Sequence, residues 1–325
     1  MPGSSHHEGS NRVEYRNLGR SGLQVSVVGI GCNNFGRRCD EEQTAAVVNQ
    51  AIDLGVNLFD TADVYGGEGR SEVFLGKALE GKRQDVVVAT KFGMKLREGP
   101  YTSRGSRRYV IQACEDSLRR LGTDYIDLYQ MHAPDPSTPI DETLRALDDL
   151  VRAGKVRYIG HSNYAGWQAA EAEYVARALG TQRFIAAQNE YSLLNRAVEA
   201  ELIPACRSYG VGVLPYFPLA SGLLTGKYRR NEPPPEGTRL AAWGPAAGRI
   251  MNERNWDKVE GLEVFATSRG HTILELAFSW LLSEPSVGSV IAGATSAEQV
   301  TSNAGAAGWQ LTAAERAEVD GIAKR

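Results

Sequence analysis

The chain carries, at residues 56–66, the stretch VNLFDTADVYG, in which an apolar run is followed at once by polar side chains. Val56 to Phe59 is short and apolar, which is typical of a strand buried on both faces. The run stops at Asp60, and Tyr65 follows just before a pair of glycines. Because the ordinary pKa of a tyrosine phenol is about 10, Tyr65 can exchange a proton near neutral pH only with help from a nearby cation.

Apolar runs of this kind recur along the chain and alternate with segments of helical spacing. Before residue 56, for example, Ala45, Val48 and Ala51 share one helix face. Asp40 is a suitable N-cap for that helix. By the same criteria we predict helices at Glu41–Leu54, Ser71–Leu79, Arg108–Leu121, Asp141–Ala153, Ala165–Leu179, Ala197–Tyr209, Thr272–Ser283 and Ala313–Ile322. We predict strands at Val27–Gly31, Val56–Asp60, Val86–Thr90, Ile126–Met131, Val156–Gly160, Phe184–Gln188, Val211–Leu214 and Val287–Ile291.

Strands that alternate with helices predict parallel βαβ units, and eight of them over about 300 residues fit an α/β (β/α)8 TIM barrel. Two short runs, Tyr15–Leu18 and Leu23–Ser26, flank a glycine-bounded turn and predict an N-terminal β-hairpin that could close one end of the barrel. A long irregular loop, Ser221–Asn255, follows the seventh strand. We interpret it as a functional loop rather than a linker, because an eighth strand must still follow to close the barrel.

The alternative fold is a doubly wound dinucleotide-binding domain. Its fingerprint is G-x-G-x-x-G directly after the first strand. Here Gly29 and Gly31 are present, but Asn34 stands where the third glycine belongs. The fingerprint therefore fails, and the barrel is favoured.

Composition limits the classes of partner and location. The chain has 325 residues, 42% of them hydrophobic, and a net charge of −3. We expect a flexible polar tail at residues 1–12 and a single barrel over 13–325. The mild negative charge gives no reason to expect nucleic acid or a membrane surface as a partner. No apolar run is long enough to span a bilayer, and the N-terminus has no apolar segment typical of a secretory signal.

Cysteine and histidine usage adds two expectations. The four cysteines include no C-x-x-C pair, which suits a reducing compartment, and we expect a cytoplasmic protein. His6 and His7 lie in the polar tail, where solvation explains them better than metal binding. We predict no metal site, and no pattern in the chain indicates an oligomeric state.

Polar side chains stand at the carboxyl ends of several predicted strands, which in a barrel converge on one face. Lys91 directly follows the third strand and supplies the cation that Tyr65 requires, and His132 follows the fourth. Taken singly, a strand-terminal lysine is usually solvated and a lone histidine is more often a core residue. Together with Asp60 they bring a carboxylate, a phenol, an amine and an imidazole to one mouth, which favours a catalytic site.

Several longer motifs occur in one order along the chain. They are LGRSGLQVS at 18–26, NLFDTA at 57–62 followed by Tyr65 and Gly66, ATKFG at 89–93, LGTDYIDL at 121–128 before His132, QNEYS at 188–192, PLASGLLTGK at 218–227 and GAT at 293–295. Through these motifs the chain resembles the aldo-keto reductase superfamily over nearly its whole length. It is most similar to the bacterial branch that also includes the voltage-gated potassium channel β subunits.

The resemblance implies a catalytic tetrad of Asp60, Tyr65, Lys91 and His132, and the reduction of an aldehyde, ketone or sugar-derived carbonyl to the alcohol by hydride transfer from NAD(P)H. Tyr65 would donate the proton, and Lys91 would lower the pKa of its phenol. Asp60 would pair with Lys91 and hold it in place. His132 would hydrogen-bond the carbonyl oxygen as charge develops there.

The cofactor positions are likewise implied by the resemblance. A first group would hold the nicotinamide. The side chains of Ser162, Asn163 and Gln188 would bind its carboxamide, and the ring of Tyr216 would stack on the nicotinamide ring. A second group would cover the pyrophosphate: Leu219, Gly222 and Lys227. A third would hold the adenosine end, where a helix start can bind an anion: Gly293, Thr295, Ser296, Gln299 and Asn303.

Two departures from the family pattern bear on the cofactor. Many members place Lys or Arg against the 2′-phosphate, whereas Gly293 and Gln299 stand at the equivalent positions here. NADPH is still the expected cofactor, because this branch often uses Ser and Gln there, and use of NADH stays open. His161 precedes Ser162 where Val or Leu is usual, and strand alternation should point it away from the site.

The substrate is a small-molecule carbonyl compound of unspecified identity. Asn34, Phe35, Tyr101 and Trp243 lie in loops after predicted strands and are candidate walls of its pocket. Two other functions stay open. One is a regulatory subunit that senses the bound cofactor, like the channel β subunits, and the other is a reductase of a nucleotide-linked deoxysugar or another secondary metabolite.

Overall fold

The computed structural model describes residues 13–94 and 103–324, and parallel strands form its central sheet. A short antiparallel pair comes first, β1 (Tyr15–Asn17) and β2 (Gln24–Ser26). The eight parallel strands are β3 (Val28–Gly31), β4 (Leu58–Asp60), β5 (Val87–Phe92), β6 (Ile126–Met131), β7 (Val156–Ser162), β8 (Ala186–Gln188), β9 (Gly212–Val213) and β10 (Val290–Gly293). Their order in the sheet is β10-β3-β4-β5-β6-β7-β8-β9, so each strand lies beside the next along the chain.

The two ends of this sheet meet, which closes it into a barrel. The Val213 amide donates to the Ser286 carbonyl at 2.7 Å, and the Gly288 amide donates to the Val213 carbonyl at 3.0 Å. Further along, the Ile291 amide donates to the Pro215 carbonyl at 3.2 Å. The predicted (β/α)8 barrel is confirmed.

Helices surround the barrel. They are α1 (Glu41–Asp53), α2 (Arg70–Ala78), α3 (Arg107–Leu121), α4 (Ile140–Arg152), α5 (Gly166–Leu179), α6 (Leu202–Tyr209), α7 (Arg239–Trp243), α8 (Glu253–Thr267), α9 (Ile273–Leu282), α10 (Ala297–Gly305) and α11 (Ala313–Lys324). Asp40 caps α1 as predicted, since its carboxylate accepts a hydrogen bond from the Gln43 amide at 2.8 Å. None of the helices in the described ranges is both long and apolar enough to cross a membrane.

Side chains along each strand alternate between the barrel interior and the helices. Leu58, Ala89 and Leu128 belong to a small apolar cluster contributed by strands all around the barrel. Their neighbours Phe59 and Val88 belong instead to the large core shared with the helices. Because the period is two, the polar residues at the carboxyl ends of these strands also face inward. This alternation determines which strand-end residues meet at the mouth.

The N-terminal hairpin closes the opposite end of the barrel, as expected. Leu18 and Val25 are fully buried in the interior cluster. Gly212 makes room for this plug, since a Cβ there would lie 2.6 Å from Leu18 Cδ1. The hairpin therefore supplies the floor of the barrel.

The loop after β9 contains more helix than predicted. Residues Ala220–Thr225 form two short 3₁₀ turns joined by a kink at Ser221 and Gly222, and α7 lies within the loop. The loop ends at Asn252, whose side chain caps α8 by accepting from the Asn255 amide at 3.0 Å. The prediction of irregular structure through Asn255 is therefore wrong, and α8 has no predicted counterpart. Gly261 and the many charged residues of α8 obscure its apolar spacing.

The last strand lies further along the chain than predicted. Val287 forms an isolated β-bridge with Val213, whereas pairing with β3 begins at Val290 opposite Val28. Both stretches are equally apolar, so only the neighbouring strand selects the register. The predicted tail at residues 1–12 lies outside the described residues.

The plug gives a stability prediction. Leu18→Ala should reduce the free energy of unfolding by about 2–5 kcal/mol, because it leaves a cavity in the barrel floor. Urea unfolding at equilibrium would measure it, with Leu23→Ala, in the same turn but only partly buried, as the matched control. Equal effects of the two substitutions would contradict the assignment of Leu18 as the plug.

Candidate active site

A buried ion pair lies at the centre of the barrel mouth. Asp60 ends β4 and Lys91 lies in the adjacent β5, and both side chains face inward. Lys91 Nζ donates to Asp60 Oδ2 at 2.6 Å, to the Thr61 carbonyl at 2.8 Å and to the Tyr65 hydroxyl at 3.3 Å. Burial acts to lower the pKa of Lys91, but Asp60 and Tyr65 outweigh it and raise the pKa above its ordinary value. Lys91 is therefore a charged ammonium with all three of its protons directed.

Tyr65 lies above this pair and faces the mouth. Burial raises the pKa of its phenol, Lys91 lowers it, and Asp60 raises it again, so that the net shift is upward. Lys91 lowers the pKa as expected, but burial outweighs this effect. Tyr65 is therefore fully protonated at neutral pH and can act as a proton donor.

His132 follows β6 and faces Tyr65. The two ring centroids are 5.7 Å apart with an edge-to-face angle of 84°. Burial and the Lys91 charge lower the pKa of His132 to about 3. The imidazole is therefore neutral near pH 7 and has one N–H to donate.

Two glutamine amides complete the surroundings of Asp60. Gln188 Nε2 donates to Asp60 Oδ1 at 2.8 Å, and Gln130 Nε2 donates to the same oxygen at 3.2 Å. Gln188 is among the predicted cofactor residues, whereas Gln130 is not. Strand alternation was the available signal, since Gln130 lies two residues after Leu128, which faces the barrel interior.

Asn163 forms the wall of the mouth beside His132. Its Nδ2 donates to the His132 carbonyl at 2.9 Å, and its Oδ1 accepts from the Tyr216 hydroxyl at 2.8 Å. The backbone of Asn163 has φ 60°, a conformation that asparagine tolerates better than most residues. Asn163 and Tyr216 are thus held together as one polar and aromatic surface.

A cleft of about 800 Å³ extends from the mouth toward β10 and α10. The predicted residues that line it are Asn34, Asp60, Tyr65, His132, Ser162, Asn163, Gln188, Tyr216, Leu219, Gly222, Lys227, Gly293, Thr295, Gln299 and Asn303. Lys91 lies beneath the surface, held by Asp60. The cleft thus brings together most of the residues that the sequence assigned to chemistry and to the cofactor.

Three predicted residues lie outside the lining of the cleft, and a fourth is not described. Phe35 is fully buried in the hydrophobic core, so its assignment as a pocket wall is wrong. Trp243 ends α7, is 38% exposed and is not among the residues that line the cleft. Ser296 caps α10 by accepting from the Gln299 amide at 3.4 Å, and it too lies outside the lining. Tyr101 lies outside the described residues.

Two arginines at the far end of the cleft were missed by sequence reasoning. Arg239, at the start of α7, donates to Asn34 Oδ1 at 3.4 Å, and no carboxylate in the described part of the chain pairs with it. Burial and the nearby Arg38 lower the pKa of Arg239. Arg38 also lines the cleft and donates to the Gly237 carbonyl at 2.6 Å. Arg38 lies in a loop and Arg239 in a five-residue helix within a long loop, where no periodic pattern marks a residue that faces a cleft.

The lining fits a nicotinamide dinucleotide. The mouth offers the Tyr216 ring and the side chains of Ser162 and Asn163 for a carboxamide and its ring. Midway, Lys227 supplies a cation, and the Ser221 hydroxyl is buried without a hydrogen-bond partner among the described residues. An ordinary buried hydroxyl is hydrogen-bonded, so this one suits a bound phosphate oxygen.

Comparison with known proteins agrees with this arrangement. The model of the Aldo/keto reductase family matches residues 27–324. A probable voltage-gated potassium channel subunit beta from Oryza sativa subsp. japonica is 38% identical over 297 residues, which cover 90% of each chain. The uncharacterized oxidoreductase YrpG of Bacillus subtilis (strain 168) is 38% identical over 298 residues, 89% of each chain.

A third relative has a named substrate. The L-glyceraldehyde 3-phosphate reductase of Escherichia coli (strain K12) is 34% identical over 304 residues, which cover 90% of this chain and 87% of the relative. The family match spans almost all of the described barrel and includes every strand at the mouth. The resemblance predicted from the motifs is thus confirmed, and the chain belongs to the aldo/keto reductase family of oxidoreductases.

Proposed function

We propose that the protein reduces the carbonyl group of an aldehyde or ketone, sugar-derived carbonyls included, to the alcohol, with NADPH as cofactor and Tyr65 as general acid. The observation that most supports this is the contact between the Tyr65 hydroxyl and Lys91 Nζ at 3.3 Å, at the mouth of a cleft that fits a dinucleotide. A protonated phenol against a fixed ammonium is a proton donor whose conjugate base is stabilised in advance.

A reduced nicotinamide bound in the cleft would supply the hydride for the carbonyl carbon. Tyr65 gives its proton to the carbonyl oxygen, where negative charge develops. Lys91 stabilises the phenolate that Tyr65 becomes, and Asp60 keeps Lys91 protonated and in position. His132 donates its N–H to the same oxygen, and its low pKa leaves Tyr65 as the proton source.

NADPH is favoured by the far end of the cleft. Arg239 carries a guanidinium without a carboxylate partner in the described ranges, and Gly293 lies next to it, since a Cβ there would be in ordinary contact with Arg239 Nη2 at 3.7 Å. A phosphate on the adenosine ribose would give this cation the anion that it lacks. NADH would leave it unpaired and should bind more weakly.

A second candidate is a regulatory subunit that senses its bound cofactor, since the relative from Oryza sativa is named a probable voltage-gated potassium channel subunit beta. The two candidates differ in turnover. Steady-state NADPH oxidation with a panel of aldehydes, ketones and sugars would identify a reductase. Tight NADPH binding with no turnover on the panel would favour the regulatory subunit.

Tyr65→Phe should lower kcat for carbonyl reduction by about 10²–10⁴-fold or more, because the proton donor is lost. NADPH binding, followed by tryptophan fluorescence quenching, should persist as the internal control. Turnover at the wild-type rate would exclude Tyr65 as the general acid.

Arg239→Met should raise KM for NADPH by about 10–100-fold, the loss expected for a charged hydrogen bond, and change KM for NADH much less. Arg229→Met is the matched control, since Arg229 pairs with Glu263 and is not among the residues that line the cleft. Equal losses with both cofactors would contradict the assignment of Arg239 to the 2′-phosphate.

The pH dependence of kcat/KM follows from the shifted pKa values of His132 and Tyr65. With the pKa of His132 near 3, as burial and Lys91 set it, no acidic limb should come from this residue above about pH 5. Reduction requires protonated Tyr65, whose pKa is raised, so kcat/KM should stay level to at least about pH 9 and fall only as the phenol ionises. A limb near the ordinary histidine pKa, in stable protein, would show that His132 titrates during catalysis.

A further inference from the structure

Gln130 makes a contact at the mouth that the proposed reaction does not yet use. It lies in β6, is fully buried and faces inward. Its Nε2 donates to Asp60 Oδ1 at 3.2 Å, the oxygen that also accepts from Gln188 Nε2 at 2.8 Å. The other oxygen, Oδ2, accepts from Lys91 at 2.6 Å. Asp60 is thus held by two amides on one oxygen and an ammonium on the other.

The hydrogen-bonding capacity of the Asp60 carboxylate determines how both glutamine amides are oriented. An ionised carboxylate only accepts hydrogen bonds, so each glutamine must present its NH2 group to Asp60 and turn its carbonyl oxygen away. For Gln188, which lines the cleft, that oxygen remains available to the cofactor. For Gln130, Oε1 is buried and has no hydrogen-bond partner among the described residues.

The unpaired Oε1 of Gln130 shows that packing alone does not explain an amide at this position. An apolar side chain of similar size would fill the same space and leave no buried acceptor unsatisfied. Filling the barrel interior therefore does not require an amide at this position. What only the amide provides is the hydrogen bond to Asp60.

We propose that Gln130 is a positioning residue for the proposed reduction: with Gln188 it fixes the Asp60 carboxylate and shares its negative charge, so that Lys91 rather than Asp60 controls the proton of Tyr65. This inference rests on the proposed function. Gln130 does not line the cleft and acts on the reacting atoms only through Asp60.

The charges around Tyr65 give the direction of the effect. Lys91 lowers the pKa of Tyr65, whereas Asp60 raises it. Each amide that donates to Asp60 reduces the negative charge that opposes a phenolate. The other titratable groups near this cluster include Cys32, Asp63, His132 and Tyr216, and the side chains that donate a hydrogen bond to Asp60 Oδ1 are those of the two glutamines. Removing the Gln130 amide should therefore make Tyr65 a weaker acid.

Gln130→Leu tests this directly. We expect kcat for reduction to fall by about tenfold, the effect of about one lost charge-assisted hydrogen bond on the transition state. KM for NADPH should stay unchanged. In the reverse direction, alcohol oxidation requires ionised Tyr65, so the alkaline limb of its pH profile should move up by about half a pH unit to one unit.

Tyr129→Phe is the matched control. It removes a buried hydroxyl without a partner among the described residues from the outward face of the same strand, and it should change neither kcat, nor KM for NADPH, nor the alkaline limb.

Two further variants distinguish positioning from packing. Gln188→Leu should move the same limb and also raise KM for NADPH, since Gln188 lines the cleft. Gln130→Glu can donate to Asp60 only while its carboxyl is protonated. Its activity relative to the wild type should therefore be highest at low pH and fall as the new carboxyl ionises, which a loss of packing would not produce.

Failure of this inference can be distinguished from failure of the proposed function. If the wild type turns over but Gln130→Leu, folded by its melting temperature, keeps kcat within about twofold and an unmoved limb, the inference is overturned. If Gln130→Leu does not fold, Gln130→Met and Gln130→Glu decide in its place.

If the wild type reduces no carbonyl compound, the proposed function fails. Carbon NMR of Cζ-labelled tyrosine, with Tyr65 assigned through Tyr65→Phe, then decides instead, since an identical Tyr65 resonance in wild type and Gln130→Leu would overturn the inference.

Discussion

The ion pair between Lys91 and Asp60 is the interaction on which the barrel mouth depends. Both side chains are buried, and breaking such a pair by removing one partner typically costs about 3–5 kcal/mol. The pair is tolerated because every proton of Lys91 is directed to an oxygen and both oxygens of Asp60 accept. The surrounding strands supply these partners from fixed backbone positions, so the geometry of the proposed acid Tyr65 derives from the sheet itself.

Alternation along the strands explains why so much chemistry meets at one place. Inward positions carry apolar side chains near the hairpin plug and polar ones near the carboxyl ends. The same alternation directs His161 outward, where it packs on Tyr164 and Phe184 rather than reaching the mouth. One strand therefore contributes Ser162 to the cleft and a buried aromatic contact to the core.

The sequence allowed the fold and the strand-end residues to be predicted because both depend on local period and on the convergence of strand ends. It could not reveal Arg239, whose position depends on the path of a loop with no periodic pattern. It also misplaced Phe35, since burial of a loop aromatic depends on the elements that pack over it. The net upward shift of the pKa of Tyr65 could not be predicted for a related reason: a sequence identifies a neighbouring cation, but burial belongs to the folded structure.

The cleft is built from two kinds of structure. Its mouth consists of side chains on strands, whereas its far end is formed largely by the loop that contains Arg239, with Phe217, Ala220 and Ser221 at positive φ near its start. The strand-end residues at the mouth and the arginines at the far end thus have different structural supports. An engineer could exchange the loop for one with different anion-binding residues and alter cofactor preference, while the barrel retained its chemistry.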